Sequence, residues 1–373
     1  MELLLAAVHR VAFWILLAFF ASAVIRLILM LDINKRVYNH TPGPCRIVFD
    51  EDGKDVDGSA GIHFVRGRNL ALITYGYANA FENGSVPSGL ASFEFKKGEE
   101  QTHHRLKKLD ISWNEHVPKH FAPLGLTAFE NNGRVLTYVV NSHPKAQCVH
   151  FFTLVKSSLQ HRKALCDSRF TSLRDIAAVD ADRFFVTNLG YFSQGHLQTV
   201  ELALQSSLGL IYFYDGRNFS VAVSNFPTPS ALAIDEKKRL LYVSSLLNEF
   251  VRVYEIGRDN TLKQKVDISL LASPVGLHVD YATGDLWAAC HPVLLQAFIH
   301  QMNPSDKAMK SPSQVLRVRI QEDGISWVVT EPYANDGATI SGSNAVTFAA
   351  DQMLVGSLFE RLLHCDILNP QIT

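Results

Sequence analysis

The chain has 373 residues, 47% of them hydrophobic and only 19% charged, with 35 Lys and Arg set against 36 Asp and Glu. That balance excludes a disordered polyelectrolyte and removes the basic excess on which a nucleic-acid surface depends. The length is that of one large domain or two ordinary ones, at about 150 residues each.

Residues 11–31 read VAFWILLAFFASAVIRLILML, apolar or small throughout except for Arg26. Such a run spans a hydrocarbon core of about 30 Å. A cleaved signal peptide has an apolar core of about 7–15 residues and a small-residue cleavage site. This run is longer, and no A-x-A sequence stands before Asp32. The expectation is an uncleaved transmembrane signal anchor at 11–31, after a short cytoplasmic tail at 1–10 and before a linker at 32–44. Arg26 snorkels towards the distal interface, which Lys35 and Arg36 also mark. Arg10 lies on the other side, so charge alone does not orient the segment. Three N-x-[ST] sequons follow the anchor, at Asn39, Asn83 and Asn218. With the cysteines, they favour a glycosylated body in the secretory lumen or outside the cell.

No second long apolar run occurs. The rest is rich in short β-like runs separated by Gly, Asn, Asp and Pro turns. One unit recurs: an alternating apolar strand, a polar turn, then another apolar strand. It occurs at 62–74 (IHFVRGRNLALIT), 126–139 (LTAFENNGRVLTYV) and 176–187 (IAAVDADRFFVT), and again at 232–243 (LAIDEKKRLLYV), 277–288 (LHVDYATGDLWA) and 344–355 (NAVTFAADQMLV). Six copies at intervals of 45–67 residues fit one four-stranded blade per copy. The fold expected is all-β, a six-bladed β-propeller over 45–368 with an N-terminal transmembrane helix. Cys45 precedes the first copy and Cys365 follows the last, so a Cys45–Cys365 bridge would staple the closed ring. Cys148 and Cys166 either pair within a blade or stay free, and Cys290 is left as a buried apolar residue.

Several constellations were weighed for chemistry. The acidic run Asp50, Glu51, Asp52, Asp55 and Asp57 fails the calcium-loop pattern, because its fifth and twelfth positions are Lys54 and Gly61. It reads as a solvated turn. His103, His104, His116 and His120 share a polar stretch with Lys107, Lys108 and Lys119. Pro118 lies between His116 and His120 and breaks the helix that would aim both at one zinc, so this stretch reads as a solvated loop. No nucleophile elbow, phosphate-cradling loop or dinucleotide fingerprint is present. In residues 191–212, Leu197, Val200, Leu202, Leu204 and Leu208 fall on one broad helical face. That face is expected to cover the core, with a surface for membrane or partner as the alternative.

The segment TGDLWAACHP at 283–292 closely resembles the TGDLWVGCHP signature of the paraoxonases. VVNSHP at 139–144 resembles their VVNHP with one inserted residue, LRDIAAV at 173–179 resembles their LNDIVAVG, and Leu363-His364-Cys365 resembles their C-terminal cysteine strand. The matches are collinear from about Cys45 to Asp366. The resemblance implies a six-bladed propeller, the terminal disulfide and a retained N-terminal hydrophobic helix.

Paraoxonases are calcium-dependent lactonases and arylesterases whose central ion is held by carboxylates and Asn side chains. In this chain the resemblance puts their Glu-Asp pair on Ala60 and Gly61 and the Asn of LNDI on Arg174, with Asp175 retained. The Asn of their NGI turn falls on Ser230, and the Asp-Asn pair upstream of TGDLW on Val275 and Gly276. Their proton-transfer histidine becomes Leu124, and their second histidine matches His143. The implied metal cage is degenerate, with a cation, Arg174, where the ion would sit.

A membrane-anchored paraoxonase scaffold of this kind is similar to the nematode paraoxonase-like proteins, which assist folding, assembly and surface expression of degenerin/ENaC mechanosensory sodium channels. The resemblance therefore implies a non-enzymatic chaperone or auxiliary protein without a cofactor, in the endoplasmic reticulum and plasma membranes, with channel subunits as partners. The alternative is a divergent calcium-dependent lactonase or arylesterase using His143. A third reading is a carrier of lipid or other hydrophobic ligands, using a tunnel mouth near residues 191–212.

Overall fold

The computed structural model describes residues 2–81, 88–96, 105–114, 117–304, 306, 308–321 and 324–369. The expectations placed on Asn83, His103, His104 and His116 lie outside these residues.

The chain begins with α1 (Glu2–Met30), continuous from before residue 10. Its segment Ala6–Met30 is apolar and exposed over most of its length, with only Ala23, Leu27 and Met30 half-buried. At 1.5 Å per residue it is long enough to cross a bilayer.

The strands follow in hairpin after hairpin. β1 (Cys45–Asp50) precedes β2 (Ile62–Val65), β3 (Leu70–Tyr75), β4 (Gly89–Glu94) and β5 (Arg105–Lys108). Next come β6 (Asp110–Ser112), β7 (Pro123–Asn131), β8 (Arg134–His143), β9 (Ala146–Val155) and β10 (Ser158–Cys166), a five-stranded sheet ordered β6-β10-β9-β8-β7. A four-stranded meander is made of β11 (Leu173–Ala178), β12 (Phe184–Asn188), β13 (Gly209–Tyr214) and β14 (Phe219–Phe226), with α2 (His196–Ala203) between β12 and β13. A second is made of β15 (Pro229–Asp235), β16 (Leu240–Ser245), β17 (Phe250–Ile256) and β18 (Leu262–Ser269). A third is made of β19 (Ser273–Val279), β20 (Leu286–His291), β21 (Ser313–Ile320) and β22 (Trp327–Asn335), with α3 (Leu294–Met302) after β20. Finally β23 (Ser343–Ala349), β24 (Gln352–Ser357) and β25 (Leu362–Asp366) join the first strands in one sheet ordered β2-β3-β4-β5-β1-β25-β24-β23.

All six sequence repeats are antiparallel hairpins: β2–β3, β7–β8, β11–β12, β15–β16, β19–β20 and β23–β24. Their first strands touch in a closed cycle, β2 to β7, β11, β15, β19, β23 and back to β2. The fold is a β-propeller, with apolar clusters filling the wedges between sheets. One wedge stacks Trp287 on Phe348 at 4.6 Å between ring centres.

β1 closes the ring. It pairs antiparallel with β25 and parallel with β5, and the Cys45–Cys365 disulfide lies in the β1–β25 register. Cys148–Cys166 is a second disulfide, across β9 and β10, so that open question resolves as a pair. Cys290 is free and fully buried, and burial pushes its thiol up.

Two expectations are corrected. Asp50 is not in a solvated turn: it is 2% exposed, and its carboxylate accepts Lys108 Nζ at 2.6 Å and the backbone amides of Asp52 and Lys54. Only the residues after it, 51–55, form the exposed turn. The helix in 191–212 is short, and of the expected apolar face only Leu202 turns inward, packing half-buried beside Leu189, Leu246 and Leu247. Leu197, Val200, Leu204 and Leu208 are exposed, while Gln198 and Glu201 are buried. Glu201 faces inward because its two oxygens accept the otherwise unpaired amides of Tyr191 and Phe192, at 2.8 and 3.0 Å. Gln198 donates to the Phe192 carbonyl at 3.1 Å.

Candidate functional site

The first strand of each hairpin starts near the ring axis and runs to a polar turn. Ala60, Leu124, Arg174, Ser230, Val275 and Asn344 stand at or just before those starts and line one axial cavity of about 560 Å³. Gly61, Asp175 and Gly276 line it as well. Every residue that the resemblance places in the degenerate cage therefore meets at one end of this cavity, as does Leu124. Asn344 belongs to the same ring and escaped sequence reading. Its only signal is its place at the head of the sixth repeat.

The ring is sewn together by hydrogen bonds between neighbouring hairpins. Thr74 Oγ1 accepts the Gly61 amide at 2.8 Å and donates to the Leu124 carbonyl at 3.1 Å. Thr187 Oγ1 accepts the Asp175 amide at 3.0 Å and donates to the Ser230 carbonyl at 2.7 Å. Asn344 Nδ2 donates to the Ala60 carbonyl at 2.6 Å, closing the circle, while its buried Oδ1 has no partner among the described residues. A side chain at Gly61 or Gly276 would strike the carbonyl oxygen of Leu124 or Asn344, so the close approach of adjacent strands requires glycine at both places.

Asp175 is spent on this scaffold. Its Oδ2 accepts the Leu232 amide and its Oδ1 the Ile176 amide, each at 2.9 Å. Burial pushes its carboxyl up to about 7, against the pull of those amides and of Arg174. Arg174 makes no ion pair or hydrogen bond through its guanidinium among the described residues. Burial lowers its pKa, while Tyr77 and Asp175 favour its charge.

Calcium takes roughly six to eight oxygen ligands. The cavity floor offers one carboxylate already holding two amides, the neutral Ser230 hydroxyl, one amide oxygen without a partner among the described residues, and a guanidinium. Among the described residues no three His, Cys, Asp or Glu side chains are grouped to hold a metal ion. The donor set does not fit a hard divalent cation.

His143 is not brought to the cavity. It ends β8 and stacks on His120, ring centres 4.3 Å apart and planes 6° apart. Its Nδ1 accepts the Lys145 amide at 3.1 Å, and burial followed by His120 and Lys145 lowers its pKa. The histidines that do line the cavity are His63 and His278, which burial holds down to about 4 and thus neutral.

The two ends of the cavity differ. Its walls reach the hairpin turns at Arg66, Glu130, Lys237 and Tyr281. The guanidinium of Arg66 and the ammonium of Lys237 lie 3.5 and 3.8 Å from the centre of the Tyr281 ring. At the opposite end Ala60, Tyr77, Ala122, Leu124, Leu358 and Phe359 pack together, and beside them Leu189, Leu246, Leu247, Val275 and Leu294 pack with Met30. A smaller cavity of about 190 Å³ lies there among Tyr77, Gln194, Gln301, Leu358 and Phe359. The membrane helix thus meets the body at this apolar end. There the Leu31 carbonyl accepts the Leu295 amide at 3.2 Å, Lys35 reaches the Leu271 carbonyl, and Gln205 Nε2 donates to the Arg26 carbonyl at 3.4 Å. The exposed apolar side chains of α2 stand beside this junction.

Both described sequons, Asn39 and Asn218, are exposed. The two disulfides fit an oxidising compartment.

Comparison with known proteins agrees with this geometry. The profile of the family described as Arylesterase matches residues 18–367. Mechanosensory abnormality protein 6 of Caenorhabditis elegans is 45% identical over 98% of this chain and 97% of its own. Serum paraoxonase/arylesterase 1 of Rattus norvegicus is 28% identical, over 70% of this chain and 73% of its own. Serum paraoxonase/arylesterase 2 of Homo sapiens is 28% identical, over 75% of this chain and 77% of its own. The chain belongs to the arylesterase (paraoxonase) family.

Proposed function

We propose that this protein is a non-catalytic, membrane-anchored member of the family, acting as a chaperone or auxiliary subunit in the folding, assembly and surface expression of degenerin/ENaC-type sodium channels. The observation that carries this reading is the near full-length likeness to a protein named for mechanosensory abnormality, which far exceeds the likeness to the serum enzymes. A cavity floor that presents Arg174 in place of an oxygen cage supports the non-catalytic part.

In this reading the eight-stranded sheet is two blades joined by the parallel β1–β5 contact, giving six blades over 45–368. Residues 1–10 are cytoplasmic, 11–31 cross the membrane of the endoplasmic reticulum or the cell surface, and 32–44 link to a luminal or extracellular propeller. Asn39, Asn83 and Asn218 carry glycans. The outward Leu197 and Val200 of α2, with Leu204 and Leu208 just after it, lie beside the end of α1 and offer the apolar surface for a partner's membrane segment.

The test is co-expression with degenerin subunits. Affinity purification of the full chain is expected to recover channel subunits, and its deletion is expected to lower channel protein at the cell surface several-fold. No recovered subunit together with unchanged surface levels overturns the proposal. Calcium-dependent lactone turnover lost in His143→Ala replaces it with the enzymatic alternative.

A further inference from the structure

We infer that the axial cavity is a binding site for a small carboxylate with an apolar body, anchored by Arg174 and entered from the face opposite the membrane helix. Its volume of about 560 Å³ lies within the roughly 300–1,000 Å³ range of small-molecule sites.

A guanidinium does not give up its proton in a protein, so Arg174 keeps its charge at the cavity floor. The carboxylate nearest in sequence, Asp175, does not neutralise it through an ion pair, because both its oxygens hold backbone amides. Arg174 is half-buried and faces the cavity, where a charge without a hydrogen-bonded counter-charge is costly, and a carboxylate fork matches a single guanidinium bidentately. A phosphate dianion asks for more donors than this one. His63 and His278 add no competing charge. His278 is already engaged, Nε2 with the Phe348 carbonyl at 3.1 Å and Nδ1 with Thr347 Oγ1 at 3.3 Å.

The walls determine the rest of the ligand. Phe64, Leu126, Phe129, Ile176, Leu277 and Phe348 line the space between the floor and the turns. An apolar chain or ring of a bound acid fits against these side chains. The mouth carries both signs, Arg66, Lys237 and Lys238 with Glu130, Asp235, Glu236 and Asp280, and the last of these and Asp235 already accept local hydrogen bonds, so the cations remain available to a passing monoanion. The end nearest α1 is crowded by apolar side chains and holds only a smaller cavity of about 190 Å³, whereas the axial cavity itself reaches the turn face, which is the way in.

The test uses the full chain in lipid nanodiscs and calorimetric titration with octanoate, 4-phenylbutyrate, the amides of both acids, and inorganic phosphate. The expected result is saturable one-to-one binding of at least one acid. Its amide should bind at least about tenfold more weakly, and phosphate should show no saturable heat. Arg174→Gln is expected to weaken the acid by about the same factor and leave the amide unchanged. If that variant does not fold, the comparison of acid with amide on the wild-type chain decides. The inference is overturned if neither acid binds saturably, if acid and amide bind alike, if phosphate alone binds, or if a folded Arg174→Gln keeps the wild-type affinity.

Discussion

Asp175 accepts the backbone amide of Leu232 at 2.9 Å, tying the first strand of one hairpin to that of the next. Its carboxyl, pushed up to about 7 mainly by burial, binds a proton more tightly in the folded chain than in the unfolded one. Its contribution to stability is thus fully present below the model-compound value of 3.8 and is lost as pH rises through about 7. Asp175→Asn removes that pH dependence but keeps only one acceptor, so its NH2 group opposes either the Ile176 or the Leu232 amide. The variant is expected to be less stable than wild type at pH 4.5, by about 1–3 kcal/mol, and to lose less stability than wild type between pH 4.5 and 7.5. Urea unfolding at the two pH values measures this, and parallel losses in the two proteins contradict it.

The buried histidines act with the opposite sign. His63, His150, His278 and His291 are each held down to about 4, in every case chiefly by burial. Their contribution is present above the ordinary value of 6.5 and is lost as pH falls towards 4. His150 sits among Trp113, Phe121 and Phe152, so His150→Phe preserves an aromatic cluster. The variant is expected to lose less stability between pH 6.5 and 4.5 than the wild type, by about 1–3 kcal/mol. Parallel slopes in the two proteins would remove His150 from the acid response.

Within the TGDLW segment the aspartate has a structural task. Asp285 accepts Arg317 Nε at 2.8 Å and is flanked by Arg319, whose terminal nitrogen lies at 3.1 Å. Burial alone would raise its pKa, but Arg319 and Arg317 hold it below the usual carboxylate range. Arg317 is 5% exposed, so Asp285→Asn strands a buried cation and is expected to cost about 3–5 kcal/mol. Thermal unfolding at neutral pH reads the loss, and a cost under about 1 kcal/mol places the pair among ordinary surface bridges.

The two disulfides close loops of very different size, 320 and 18 residues apart in sequence. Paired Cys45→Ser and Cys365→Ser substitutions are expected to cost about 5 kcal/mol, and Cys148→Ser with Cys166→Ser about 2–3 kcal/mol less than that. Denaturant midpoints of the two double variants give the order. A larger loss for the short loop would mean that native packing, rather than chain entropy, governs both.

Much of the fold was legible because the hairpins carry a period-two pattern with polar turns, and all six repeats became paired strands. The ring-closing Cys45–Cys365 pair was legible for the same reason, since the chain ends of a closed ring must meet. The gathering of Ala60, Gly61, Leu124, Arg174, Asp175, Ser230, Val275 and Gly276 followed from family resemblance, as no periodicity marks those residues. Hydrophobicity alone does not orient helix α2, because hydrogen-bond demand decides which face is buried. The amides of Tyr191 and Phe192 need an acceptor, and Glu201 supplies it from the buried side. The burial of Asp50 is hidden for a related reason, since its partner Lys108 lies 58 residues away in sequence. Asn344 carries no local motif, and its role depends on the ring closing against Ala60.

Calcium binding by the purified full-length chain tests the central claim most directly, namely that the paraoxonase scaffold is kept while its metal cage is replaced by Arg174 and a hydrogen-bonded ring. Titration calorimetry up to about 1 mM calcium covers the weakest range of extracellular calcium modules. The expected result is no saturable binding at the axial cavity, with the same trace for wild type and Asp175→Asn. One tightly held ion per chain, lost in Asp175→Asn, would contradict it.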